Sequence, residues 1–415
     1  MQSTFCYLLG LLLAVSLAAA AETGSAAASK APVKAKRKTY RHHRRRTAST
    51  VRHKPSQAVA RKTSTTSART VRTLEATNPP VIASRRRHRR VVYSPWTSPT
   101  FADSTIGDNV DGDDLVARRA AVDALGQFNG AVVVADAQTG RVLTVVNQKV
   151  AFESGFEPCS TIKVPVALAA LSEGLIDRTT MVRLYGRTRM DLTSALAHSN
   201  NVFFATLGQK LGFDRVLYYA RLFGLGEKAG LGIEGEQAGE LPDAPPKSGV
   251  GMMTSFGEGI ELTPLEYTAL LGAVANGGTL YYLQYPRSPE EAKDMVPRVK
   301  RHLDIQQWIP EIKPGMMGAV EYGTARRAAY DPNEPIFGKT GTCTDSRSPT
   351  HLGWFGSFNQ VGNRNLVVVV LLTGGRGVSG PVASGVAGQV YRNLSQKNFF
   401  QQVEEASPVA LISGN

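Results

Sequence analysis

A chain of 415 residues with 42% hydrophobic content can bury the core of one large domain or two, and its composition is that of an ordinary globular protein. The net charge of +14 is spread very unevenly. Of 48 lysines and arginines, 20 lie between Thr23 and Ala102 against a single acid, Glu75, so that stretch carries +19, whereas residues 103–415 hold 28 basic and 32 acidic residues, or −4. The high isoelectric point therefore belongs to a tail, not to the folded body.

Residues 1–22 read as an export signal. Tyr7 to Ala20 is apolar and short, and Ala18 to Ala21 supplies small residues for cleavage. The start, Met1 to Phe5, lacks the usual basic residue, so an uncleaved N-terminal anchor is the rival, although the apolar run is near the lower limit for crossing a bilayer. Residues 23–102 are rich in Ala, Ser, Thr and Arg and poor in large apolar groups. Such a segment cannot bury enough surface to offset its ordering entropy, so it is expected to be a disordered tail. Its run Arg85-Arg86-Arg87-His88-Arg89-Arg90 has the composition of a nucleic-acid patch, but in an exported chain that reading loses its weight and no nucleic acid is expected. Residues 30–90 form either a solvated linker or an electrostatic attachment to anionic wall polymers or lipid headgroups.

The folded body is expected over residues 103–400, followed by a tail at 401–415. Asp114–Leu125 has helical spacing. Ala131–Ala135 and Val142–Val146 are apolar strands joined by Asp136-Ala137-Gln138-Thr139-Gly140, a hairpin signal. The middle reads as helices at Val164–Glu173, Asn201–Leu211, Phe213–Phe223 and Pro264–Ala275. Strands follow at Pro335–Thr344, Leu352–Phe358 and Asn365–Leu372, then a helix at Pro381–Leu394. This order predicts an α+β fold: one antiparallel five-stranded sheet built from both chain ends, helices on both faces, and a helical subdomain.

Three short segments carry the chemistry. Ser160-Thr161-Ile162-Lys163 puts a serine and a lysine one helical turn apart, where a neutral amine can take the serine proton without a histidine. Ser199-Asn200-Asn201 precedes a helix, and Lys339-Thr340-Gly341 opens a strand and is followed by Thr342. Each alone is weak: the first is common on solvated helix faces, and the second is an ordinary helix cap. Gly338-Lys339-Thr340 also suggests the end of a phosphate-binding loop, but Asn333 stands where that loop needs its first glycine. Together, in this order and spacing, they resemble the transpeptidase domain of penicillin-binding proteins. Ser255-Phe256-Gly257-Glu258-Gly259, Leu262-Thr263-Pro264-Leu265-Glu266 and Val320-Glu321-Tyr322-Gly323-Thr324-Ala325 extend the similarity to class B members over roughly residues 111–398.

The resemblance implies a serine nucleophile, Ser160, with Lys163 as its base, Ser199 as a proton relay and Asn201 holding Lys163 and the substrate amide. Lys339, Thr340 and Thr342 would bind a terminal carboxylate, Gly341 would let the substrate backbone lie close, and the backbone N–H groups of Ser160 and Thr342 would form the oxyanion hole. The implied substrates are D-alanyl-D-alanine stem peptides of peptidoglycan, with β-lactams as mimics, at the cell envelope. No cofactor or metal is implied, and His198, His302 and His351 form no ligand motif. One rival is a serine β-lactamase, whose class A members use a glutamate between the second and third segments, where Glu234, Glu236 and Glu240 lie. Another is a non-catalytic sensor of β-lactams or wall fragments. Cys159 and Cys343 flank two of the matching motifs, at positions bridged in carbapenem-hydrolysing class A β-lactamases. The resemblance therefore implies a Cys159–Cys343 disulfide, whereas Cys6 would leave with the signal.

Overall fold

The computed structural model describes residues 99–153, 155–345 and 350–401. The signal or anchor, the basic tail up to residue 98 and residues 402–415 lie outside the described residues. The main sheet comprises β1 (Gly130–Asp136), β2 (Val142–Val146), β3 (Ile336–Thr344), β4 (His351–Val361) and β5 (Arg364–Gly374), in the spatial order β2-β1-β5-β4-β3. Every neighbouring pair is antiparallel. The expected α+β fold with strands from both chain ends is therefore found, with β5 from near the end of the chain seated between β1 and β4.

Alternation along the strands explains why the sheet is covered on both faces. Ala131, Val133, Ala135, Val367, Val369, Leu371, Trp354 and Phe358 enter one core, and Val132, Val134, Leu366, Val368, Val370, Leu372 and Phe355 enter the other. A strand buried on both sides reads as an unbroken apolar run, as Leu366 to Leu372 does. Helices α1 (Leu115–Leu125) and α9 (Gly380–Ser395) pack on the second core. The first core takes α2 (Lys163–Ser172), α3 (Leu192–Ala197), α4 (Asn201–Leu211), α5 (Phe213–Leu222), α6 (Val250–Phe256) and α7 (Pro264–Ala275).

Local signals set the boundaries. Asp114 caps α1 by accepting from the N–H groups of Val116 and Ala117, and Thr263 and Glu266 form a reciprocal capping box at α7. The hairpin signal holds: Asp136 accepts from the N–H groups of Gln138 and Thr139 in the β1–β2 turn. One long helix, α8 (Ile309–Glu321), has no counterpart in the sequence reading. Pro310 falls in its first turn, where no N–H donor is needed, but Pro314 sits inside it and breaks the pattern by which such a helix is read. Among the described residues no helix is long and apolar enough to cross a membrane.

Candidate active site

The segment that holds Ser160, the expected nucleophile, is a 3₁₀ turn, Cys159–Ile162, that runs into α2 with Lys163 as its first residue. Ser160 therefore precedes the α-helix, and the three-residue repeat of the tighter turn aligns it with Lys163. The turn is pinned from several sides. Pro158 O accepts from both the N–H and the hydroxyl of Thr161, and Trp354 on β4 donates its indole N–H to Glu157 O at 3.0 Å. Phe156 exchanges both backbone hydrogen bonds with Leu262. Gly257, at φ 80°, lies under Pro158, where a Cβ would come within 2.3 Å of the proline ring.

Lys163 Nζ lies 2.9 Å from Ser160 Oγ, 3.0 Å from Ser199 Oγ, 2.8 Å from Ser199 O and 2.5 Å from Asn201 Oδ1. Lys339 Nζ reaches the same Ser199 hydroxyl at 2.8 Å and donates to Thr340 O at 2.9 Å. The three segments thus converge on one hydrogen-bonded cluster. Ser199 holds a left-handed backbone, φ 55°, between α3 and α4, while Asn200 takes the cap role by accepting from Phe203 N–H. A non-glycine residue in that region is uncommon, and such outliers gather at functional sites.

Both lysines are fully buried. Burial disfavours the ammonium form and brings the Lys163 pKa down to about 7. Lys339 is pushed well below its ordinary value, first by burial and then by the charge of Lys163. The Phe204 ring lies 5.7 Å from Lys163 Nζ and closes the apolar side of the site.

The remaining expected residues separate by strand face. Lys339, Gly341 and Cys343 share one face of β3, and Thr340 and Thr342 share the other. The Thr340 hydroxyl meets that of Thr324 at 2.6 Å, and Thr342 Oγ1 accepts from Gly380 N–H at 2.8 Å, so neither hydroxyl joins the lysine cluster. Gly341 serves a contact not foreseen in the sequence: a Cβ there would stand 2.9 Å from Pro158 O and 3.2 Å from Cys159 Cβ, so the glycine seats the nucleophile turn against β3. Cys159 and Cys343 form a disulfide with a Cα–Cα separation of 5.5 Å across 184 positions of sequence.

Thr324 had no assigned role in the sequence, although its segment carried part of the resemblance. It is fixed by its N–H to Ala197 O and by its hydroxyl to Thr340. Glu236 is buried, accepting from the N–H groups of Gly230 and Gly232, while Glu234 and Glu240 are exposed. Among the described residues no group of His, Cys, Asp and Glu is arranged to hold a metal ion.

Comparison with known proteins assigns the domain to a family. The model of the penicillin binding protein transpeptidase domain matches residues 130–396. "Stage V sporulation protein D" of Bacillus subtilis is 27% identical over 285 residues, covering 60% of this chain and 44% of that protein. "Penicillin-binding protein PbpB" of Mycolicibacterium smegmatis is 28% identical over 285 residues, 57% of this chain and 44% of its own. "Peptidoglycan D,D-transpeptidase MrdA" of Escherichia coli K12 is 27% identical over 222 residues, 45% of this chain and 35% of its own. The chain thus spans less than half the length of each of these curated relatives.

Proposed function

The chain belongs to the penicillin binding protein transpeptidase domain family, and from that premise we propose that it is a serine acyl-transferase acting on D-alanyl-D-alanine stem peptides in peptidoglycan synthesis. The observation that carries this reading is the cluster in which Lys163 Nζ lies 2.9 Å from Ser160 Oγ and 3.0 Å from Ser199 Oγ. A lysine brought to about 7 by burial offers a neutral amine at physiological pH.

Lys163 takes the Ser160 proton as the Ser160 oxygen attacks the carbonyl carbon of the penultimate D-alanine. The N–H groups of Ser160 and Thr342 receive the developing oxyanion; losing one such donor typically costs about 3–4 kcal/mol of transition-state stabilisation. Ser199 passes a proton to the departing D-alanine amine. Asn201 positions Lys163 and the substrate amide, and Lys339, Thr340 and Thr342 bind the terminal carboxylate. Among the described residues the strand β3 has a sheet neighbour on one side alone, which suits an extended peptide laid along its other edge. The acyl-enzyme then passes to an amine of a second stem, giving a cross-link, or to water, giving carboxypeptidase action. β-Lactams acylate Ser160 by the same attack. The signal-like residues 1–22 support action at the cell envelope, and the basic tail at 30–90 suits attachment to anionic wall polymers or headgroups.

The β-lactamase alternative needs a carboxylate to drive deacylation. Glu236 is committed to the 230–232 loop, which weighs against its serving as that carboxylate. Stopped-flow acylation by a fluorescent penicillin tests the proposal. A stable adduct on the wild type and none on Ser160→Ala is expected; turnover faster than about one per second would make it a β-lactamase, and no adduct would sink both enzyme readings.

A further inference from the structure

Cys159, immediately before the nucleophile, adopts φ 51°, in the left-handed region, and is fully buried. Side chains with a Cβ rarely hold that conformation unless the surroundings impose it. The Pro158 O to Thr161 N–H bond closes a turn whose central residues are Cys159 and Ser160, so the turn's own backbone shares in setting the Cys159 dihedral but does not tie the turn to β3. The one covalent restraint on this residue from outside the turn is the disulfide to Cys343, two residues past Gly341 on β3. Cys343 is partly exposed.

We propose that the Cys159–Cys343 disulfide is a positioning device that holds a non-glycine residue in the left-handed conformation the nucleophile turn requires, and that acylation of Ser160 is therefore thiol-sensitive. The inference rests on the acyl-transfer reading above. A dithiol attacks the Cys343 sulfur and then closes to its own cyclic disulfide. It delivers two electrons and two protons, leaving Cys159 and Cys343 as thiols. Freed of the bridge, Cys159 relaxes toward negative φ and the Ser160 hydroxyl leaves its place beside Lys163. Oxidised glutathione, taking up the two electrons and two protons as it becomes two thiols, restores it.

Two double variants separate this from a general loss of stability. Cys159→Ala/Cys343→Ala and Cys159→Gly/Cys343→Ala both lack the bridge and lose the same loop-closure contribution, but glycine adopts positive φ freely. Acylation by fluorescent penicillin is measured on the full chain, normalised to the folded fraction. The expected result is a fall of about tenfold in the alanine pair and in dithiothreitol-reduced wild type, with the glycine pair within about threefold of oxidised wild type and indifferent to reductant. Equal rates in the two pairs, or an unchanged rate in wild type shown by titration to carry two free thiols, would overturn the proposal. Should oxidised wild type fail to react at all, the acyl-transfer reading falls instead. Hydrogen exchange over residues 157–164 then decides the positioning claim: faster in the alanine pair than in the glycine pair supports it, and equal exchange refutes it.

Discussion

Lys163 and Lys339 meet at a single hydroxyl: Ser199 Oγ lies 3.0 Å from one ammonium nitrogen and 2.8 Å from the other. Burial disfavours the charged form of Lys163, and the charge of Lys163 adds to burial in lowering Lys339, so the site disfavours holding both amines protonated at once.

The acid limb of acylation should follow Lys163. The neutral amine is the reactive form, so the rate should rise with pH through a midpoint near 7, the value set by burial. Stability carries the same sign. The folded pKa lies below the unfolded value of about 10.4, so the unfolded chain binds the extra proton between those limits and stability falls as pH drops through that window, by roughly 1.4 kcal/mol per unit at most. Chemical denaturation from pH 10 to pH 7 should show a shallower dependence in Lys163→Met than in wild type.

Ser199→Ala removes the shared hydroxyl. Acylation should fall by about 10²–10³-fold, within the range for a lost proton-transfer group. Asn201→Ala removes an acceptor that favours the charged amine, so its acid limb should move to lower pH while the plateau falls less than in Ser199→Ala. Full pH–rate profiles of both variants test the order.

Gly341→Ala should push the nucleophile turn off β3. The added Cβ would meet a backbone oxygen at 2.9 Å, which is too close to be absorbed by a side-chain rotation. A loss of about 1–3 kcal/mol by thermal or denaturant unfolding is expected, together with slower acylation. Unchanged stability would show that Gly341 is needed for the substrate alone.

Thr324→Val keeps the shape and deletes the hydroxyl that orients Thr340. If Thr340 binds the substrate carboxylate, apparent affinity for the penicillin should weaken about fivefold, as for one net hydrogen bond, with the limiting acylation rate held. Saturation kinetics resolve the two parameters.

The three converging segments were legible because the chemistry proposed for them needs unusual residues in a fixed order, and the sheet because apolar runs such as Leu366–Leu372 are hard to misread. What escaped notice has definite causes. Pro314 hid α8. The strand pairs Val182–Tyr185 with Thr188–Met190 and Thr279–Tyr281 with Val299–His302 are short and largely polar or half-exposed, so no period emerges. The separation of Thr340 and Thr342 from the lysines follows from strand alternation, but only once β3 is known to turn Lys339 inward. Gly341's packing partner lies across the fold, and no local pattern points to it. The cysteines at 159 and 343 could be paired only through a known architecture, since 184 positions separate them.

The seat of β5 between β1 and β4 has a consequence during synthesis. The β1–β2 hairpin is made early, yet the inner edge of β1 finds its partner only after residues 364–374 emerge. At about 5–20 residues per second the wait is roughly ten to fifty seconds, with an apolar strand edge bare throughout. A chain cut or halted before Gly374 would therefore be a fragment prone to clump with its neighbours rather than a smaller enzyme, although Ser160, Ser199 and Lys339 would all be present in it.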